Sequence, residues 1–306
     1  MPLPPNSRTR AASEGPCGAV AATEFRAWLT HRAIVDPRRN LSCSAPEPSP
    51  RRRHIEARQR GAVALADRRD TDQVIISKVA SPSAPAGYRF PREVIAVAVR
   101  WYLRYGLSYR DVEELLAERG IEVDHVTVYR WVQTFTAEFI DAARPARHAT
   151  GDRWFLDETY VKVAGRWTYL YRAVDQHGQV IDVLVSEHRD GAAARAFFAR
   201  ALHCGAAPNE VTTDRAPGYP RVMDESVPIA NHVFGQYANN RVEADHGRLK
   251  ARLRPMRGLK SIMSLRTVAA GHAFVQNLRR GHYEITADLH PRDQVRVAFA
   301  ELALSV

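Results

Sequence analysis

Three carboxylates stand in segments suited to metal-assisted chemistry: Asp157 in FLDETYVKV, Asp214 in TTDRAPGY and Glu243 in ANNRVEADHGRLK. Displacement at phosphorus calls for hard oxygen ligands to Mg²⁺ or Mn²⁺. Two such ions, roughly 3.5–4 Å apart, activate the attacking oxygen and stabilise the leaving one. Three carboxylates suffice to bridge the pair. Each acid also has an ordinary reading. Asp157 inside a strand is equally a hydrogen-bonded structural residue, Asp214 a turn residue or N-cap ahead of Pro217, and Glu243 a favourable charge near a helix start beside Arg241. The chemical reading rests on the combination.

On a helix, Glu243, His246, Gly247 and Lys250 fall at i, i+3, i+4 and i+7 and share a face. Lys250 then projects on the side of Glu243, within reach of a phosphate, although its ordinary reading is a solvated surface charge. Glu158 and Asp245 are expected to point elsewhere. The segment Arg241 to Lys260 carries seven Lys/Arg against two acids, a patch able to meet several phosphates, with Arg241 and Arg248 as candidate DNA contacts.

The elements that must hold these groups follow from residue period. RWFLDETYVKV, RWTYLYRAVD and QVIDVLVSE are rich in β-branched and aromatic residues, and Ala164-Gly165 and Gln176-His177-Gly178 separate them, which predicts a three-stranded meander. A helix is expected over Ala192 to Leu202 and a short strand over Glu210 to Thr213, with Asp214 just past its end. An irregular stretch broken by Pro217, Pro220 and Pro228 precedes a helix from about Asn240 to Arg254, which Pro255 stops. The order β-β-β-α-β-(irregular)-α is that of a ribonuclease H-like fold.

Upstream, Val94, Val97, Ala98 and Trp101 follow Pro91 with helical spacing, Ser108 and Asp111 resemble a capping box, and Asp124 is placed to cap a third helix. In that helix Val128, Trp131, Val132 and Phe135 share the apolar face, leaving His125, Thr127, Arg130 and Gln133 on others. A helix-turn-helix whose third helix enters the major groove fits, with His125, Thr127 and Arg130 as DNA contacts; a plain helical bundle requires the same spacing. Before these helices, residues 1–82 hold half of the 18 prolines, the run Arg51-Arg52-Arg53 and no sustained apolar period, so a disordered tail is expected. Within it only Ala21 to Leu29 and His54 to Ala66 have helical character. A stray reading frame or an upstream start would explain such a tail equally well.

The 306 residues carry a net charge of +10, but 6 of that surplus lies in residues 1–82, so global charge alone says little about nucleic acid. Cys17, Cys43 and Cys204 are odd in number and widely spaced, which argues for reduced thiols rather than disulfides or structural zinc. No apolar run approaches the roughly 20 residues that span a bilayer, and no secretory leader is evident, so a cytoplasmic, nucleoid-associated protein is expected.

DETYVKVAGRWTYLYRAVD, TTDRAPGY and ANNRVEADHGRLK together resemble the core motifs of the insertion-sequence-six transposases, and RWYLRYGLSYRDVEELLAERGIEVDHVTVYRWV resembles their helix-turn-helix region. The resemblance covers about residues 88–283. It implies a mobile-element enzyme that binds terminal inverted repeats, requires Mg²⁺, and joins donor to target DNA, typically through cointegrates; bringing DNA ends together makes a homo-oligomer on DNA the expected partner state. It places the catalytic, metal-binding triad at Asp157, Asp214 and Glu243 and a basic partner at Lys250. In the implied chemistry an activated water frees a 3′-hydroxyl, which then attacks a target phosphodiester. The 28 residues between Asp214 and Glu243 are fewer than in the best-known members, the difference falling between Pro220 and Gln236.

The expected architecture is thus mixed α/β: a tail over 1–85, a helix-turn-helix domain over 86–145, a ribonuclease H-like catalytic domain over 146–285 and a C-terminal helical tail over 286–306. The alternative is a helix-turn-helix regulator with an inactive ribonuclease H-like domain.

Overall fold

The computed structural model describes residues 88–214, 218–234, 239–256 and 258–306. The expected N-terminal tail, the two stretches within it given helical character by sequence, Cys17 and Cys43 lie outside the described residues.

The first three helices are α1 (Arg92–Arg104), α2 (Tyr109–Ala117) and α3 (His125–Ala143). Their starts are written locally. Asp111 N–H donates to Ser108 Oγ at 3.1 Å while Ser108 N–H donates to Asp111 Oδ2 at 2.7 Å, and Asp124 Oδ1 accepts from Val126 and Thr127. Val128, Trp131, Val132 and Phe135 are all buried, as their spacing requires.

The sheet contains β1 (Arg153–Val163), β2 (Arg166–Asp175), β3 (Val180–Ser186), β4 (Glu210–Thr213) and β5 (Asn231–Phe234), in the order β3-β2-β1-β4-β5. The first three run antiparallel, whereas β4 is parallel to β1 and β5 to β4. Ala164 at φ +47° and Gly165 at φ +84° make the β1–β2 turn, the left-handed pair that a two-residue hairpin uses to match strand twist. Helix α4 (Gly191–Leu202) links β3 to β4, and α6 (Asn240–Leu253) follows β5. This strand order and these directions are those of a ribonuclease H-like fold, reached through the expected meander.

The stretch expected to be irregular holds two elements, α5 (Tyr219–Ser226) and β5. Pro220 sits in the first turn of α5, where its missing N–H costs nothing, so a residue taken as a breaker opens a helix. Strand alternation splits the core. Trp154, Leu156, Tyr171 and Ala173 face α4 and α5, while Val163, Leu170 and Val174 face α6 and α7 (Ile262–Arg279). Helix α7 is covered by the sheet on one side and by α1, α3 and α8 (Gln294–Leu302) on the other. Among the described residues no helix is long and apolar enough to cross a membrane.

Candidate active site

The β1–β4 ladder positions the first two acids. Trp154 pairs with Val211 and Phe155 with Thr212, so extending the register by two residues sets Asp214, just past β4, level with Asp157. Carboxylate oxygens of Asp157, Glu158 and Asp214 lie within 4.8 Å of one another. Glu158 belongs in this cluster, which corrects the expectation that it points away. Its side chain leaves β1 on the α4/α5 face but is drawn along the strand edge by Arg189, which bridges Glu158 and Asp214, the latter at 3.1 Å. Burial works against the Arg189 charge, yet Glu158 and Asp214 hold its pKa above the ordinary value. Tyr219 donates its hydroxyl to Glu158, and burial together with that carboxylate pushes the phenol well above its usual range, so it remains a donor.

Helix α6 crosses the opposite face. Val242, Asp245, His246, Leu249 and Arg252 form its buried stripe. Asn239, immediately before it, donates to the Leu156 carbonyl at 2.7 Å and pins the helix start beside Asp157. His246 Nδ1 lies 3.5 Å from Asp157 Oδ2. Sequence reasoning put His246 on the right face and gave it no role. Glu243 is exposed and stands outside the 4.8 Å cluster. At about 100° per residue it shares with Lys250 the flank of α6 next to His246. Lys250 Nζ lies 5.6 Å from the Tyr160 ring of β1.

Arg241 and Arg248 take the other flank. Arg241 donates to the Gln176 carbonyl at 2.8 Å and covers the Phe155 ring, and Arg248 lies 3.7 Å from Asp245. Asp245 does point away from the cluster, as expected. It is buried against Arg172 Nε at 2.8 Å and against Arg280. The Arg172 N–H is not aligned along that contact, so charge rather than a well-formed hydrogen bond holds the pair. Of the candidates on α3, His125 is half-buried and bound to Glu113 at 3.1 Å, Thr127 bonds Asp124 at 2.7 Å, and Arg130 is exposed with Val126 and Tyr129.

With the geometry in place, kinship decides what it is for. The pattern of a DDE domain family matches residues 151–282, which span all three acids. The transposase of the insertion sequence-like element IS431mec from Staphylococcus aureus (strain Mu50 / ATCC 700699) is 40% identical over 169 residues, covering 54% of this chain and 75% of the relative. The chain belongs to the insertion-sequence-six family of DDE transposases. The transposase of IS257 in transposon Tn4003, also from Staphylococcus aureus, is 39% identical to this transposase over the same shares. The catalytic core of HTLV-2 integrase in complex with magnesium is 18% identical, covers 44% of this chain and 97% of its own, and superimposes with a TM-score of 0.35. As a family member the transposase is a metal-dependent enzyme that cuts and joins DNA.

Proposed function

We propose that Asp157, Asp214 and Glu243 are the catalytic, metal-binding triad of this insertion-sequence transposase, acting on the element's terminal inverted repeats and on target DNA. The observation that carries the reading is the register match that sets Asp214 beside Asp157, with α6 pinned over the same strand by Asn239. Asp157 and Asp214 fit a hard divalent cation, because their carboxylate oxygens, with those of Glu158, already lie within one ion's reach of each other; Glu243 stands outside that group and would complete the set from α6. Two Mg²⁺ ions, or Mn²⁺ in their place, would be held there and, when bound, would supply Lewis-acid activation of the attacking oxygen and charge relief at the leaving one.

The chain's own residues do the rest. Asp157 and Asp214 sit on a strand and a strand end, and Glu243 joins them from α6. His246 orients Asp157, and Lys250 meets a phosphate beside the scissile bond. Water attacks the phosphodiester at the element end and releases a 3′-hydroxyl. That hydroxyl attacks a target phosphodiester, displacing its 3′-oxygen, and cointegrates follow.

Residues 86–145 serve as the DNA-reading domain, with His125, Thr127 and Arg130 as contacts alongside Arg241 and Arg248 on α6. Residues 146–285 are the catalytic domain, followed by a helical segment over 286–306. Bringing two element ends together calls for a homo-oligomer on the DNA, in the cytoplasm at the nucleoid.

Asp157→Asn, Asp214→Asn and Glu243→Gln should each reduce strand transfer in vitro to background while leaving gel-shift binding of element-end DNA within about twofold of the parent. Strand transfer surviving in any one variant removes that residue from the triad. A parent protein that binds DNA but neither cuts nor joins it with Mg²⁺ or Mn²⁺ would make this copy a regulator instead.

A further inference from the structure

We propose that the outer half of the β1–β2 hairpin is a base-stacking platform for an unpaired DNA strand entering or leaving the active site; this rests on the DNA-joining reading above. Glu158, Tyr160 and Lys162 of β1 share a sheet face with Trp167 and Tyr169 of β2, because Tyr160 pairs with Tyr169 and Lys162 with Trp167. Helices α4 and α5 cover the inner part of that face, where Leu156, Tyr171 and Ala173 are buried. Beyond that cover Tyr160 is 59% and Trp167 57% exposed. Their rings meet edge to face at 5.2 Å, an arrangement that leaves ring faces open.

Cations frame the pair. Lys162 Nζ lies 5.7 Å from the Trp167 ring centre, Lys250 reaches Tyr160 from α6, and Arg166 is exposed at the turn. No acidic residue lies between Thr159 and Val174, and Glu158 is turned inward onto Arg189 and Tyr219. Exposed aromatics among uncompensated cations suit a polyanion that also offers π-faces, which is a single strand rather than a duplex whose bases are stacked away. A second copy of this chain is the poorer occupant, since a two-fold contact here would bring two sets of Lys162 and Lys250 into one interface without added acids.

Position supports the same strand. Tyr160 is three residues from Asp157, about 10 Å along β1. Lys250, on the flank of α6 that carries Glu243, reaches the platform at Tyr160.

The test uses the full chain and Trp167 fluorescence, taken as the difference between the parent and Trp167→Phe. The other four tryptophans, Trp28 and the buried Trp101, Trp131 and Trp154, are common to both proteins and cancel. A short oligothymidylate should quench that difference signal, and duplex of equal length should not. Tyr160→Ala/Trp167→Ala should weaken oligothymidylate binding about tenfold, whereas Tyr160→Phe/Trp167→Phe keeps it, with unchanged melting in both. A parent that joins DNA while Trp167 ignores the oligonucleotide overturns the platform. Trp167 becoming shielded from iodide as protein concentration rises, without DNA, assigns the face to a second copy and overturns it too. Quenching retained in a parent that cannot join DNA would sink the catalytic reading and leave the platform standing.

Discussion

Asp214 is engaged by Arg189 at 3.1 Å, and a divalent ion that takes Asp214 must displace or share that guanidinium. The ion pair is half-exposed, so its worth is of the order of 1 kcal/mol or less. Removing it should therefore ease metal entry modestly. Arg189→Gln is expected to bind Mn²⁺ about two- to fivefold more tightly in titration calorimetry without DNA. Equal or weaker affinity would mean that Arg189 orders the site rather than competing for it. The positions of Asp157 within a strand and of Asp214 just past one were legible from the strand-like runs RWFLDETYVKV and EVTT; the β1–β4 register that sets them level was not. Nor was Arg189. It lies in the short connection between β3 and α4, and nothing in SEHRD says that its side chain crosses to two carboxylates. Glu158 was misread because alternation fixes the direction of Cβ, not where a long side chain ends once a cation draws it.

Helix α6 has to present two chemically opposed sides, exposed acid and lysine on one flank and a buried charge toward the sheet. Asp245 is 1% exposed, and burial would raise its pKa, but Arg172 and Arg280 outweigh burial and hold it below the ordinary value. It is thus charged when folded. Arg172, fully buried, is left without a counter-charge if Asp245 is neutralised, so Asp245→Asn should cost about 3–5 kcal/mol in urea unfolding. Replacing Asp245 with Leu and Arg172 with Met together should recover most of that loss, since Arg280 keeps a bond to the Gly178 carbonyl and some exposure. A single variant within about 1 kcal/mol of the parent would show that the pair does not fasten α6. Legibility varied among elements for a related reason. Helices α1 to α3 and strands β1 to β4 announce themselves through caps, turns and one-sided apolar patterns. Helix α7 was not placed because residues all around it are buried, which erases the amphipathic period, and β5 is a four-residue edge strand that contributes no residue to the principal clusters.

In the described part of the molecule, α7 is the beam between the sheet layer and the N-terminal helices. Gly271 permits this closeness, since a Cβ there would come within 2.5 Å of Leu103 on α1 and 3.1 Å of Thr136 on α3. One residue further on, His272 is 4% exposed with Arg172 Nη2 at 3.4 Å from its Nδ1. Burial first, and the Arg172 charge second, bring its pKa from 6.5 down to about 3, so the folded ring is neutral and accepts from Arg172. Between those two values the unfolded chain carries a proton that the folded one refuses. Stability then rises with pH across that window, by at most about 1.4 kcal/mol per pH unit from this one group, and the contribution is flat above about pH 6.5, where both states are neutral. Asp245, also held low, acts in the same direction at still lower pH, so acid loosens the beam and the active-site helix together. Acidification from about pH 6.5 to about pH 5 should cost the parent about 2 kcal/mol more than His272→Gln, whose side chain does not titrate. Urea unfolding of both proteins at the two pH values measures the difference directly, and parallel losses would place the acid sensitivity of the fold elsewhere than on α7.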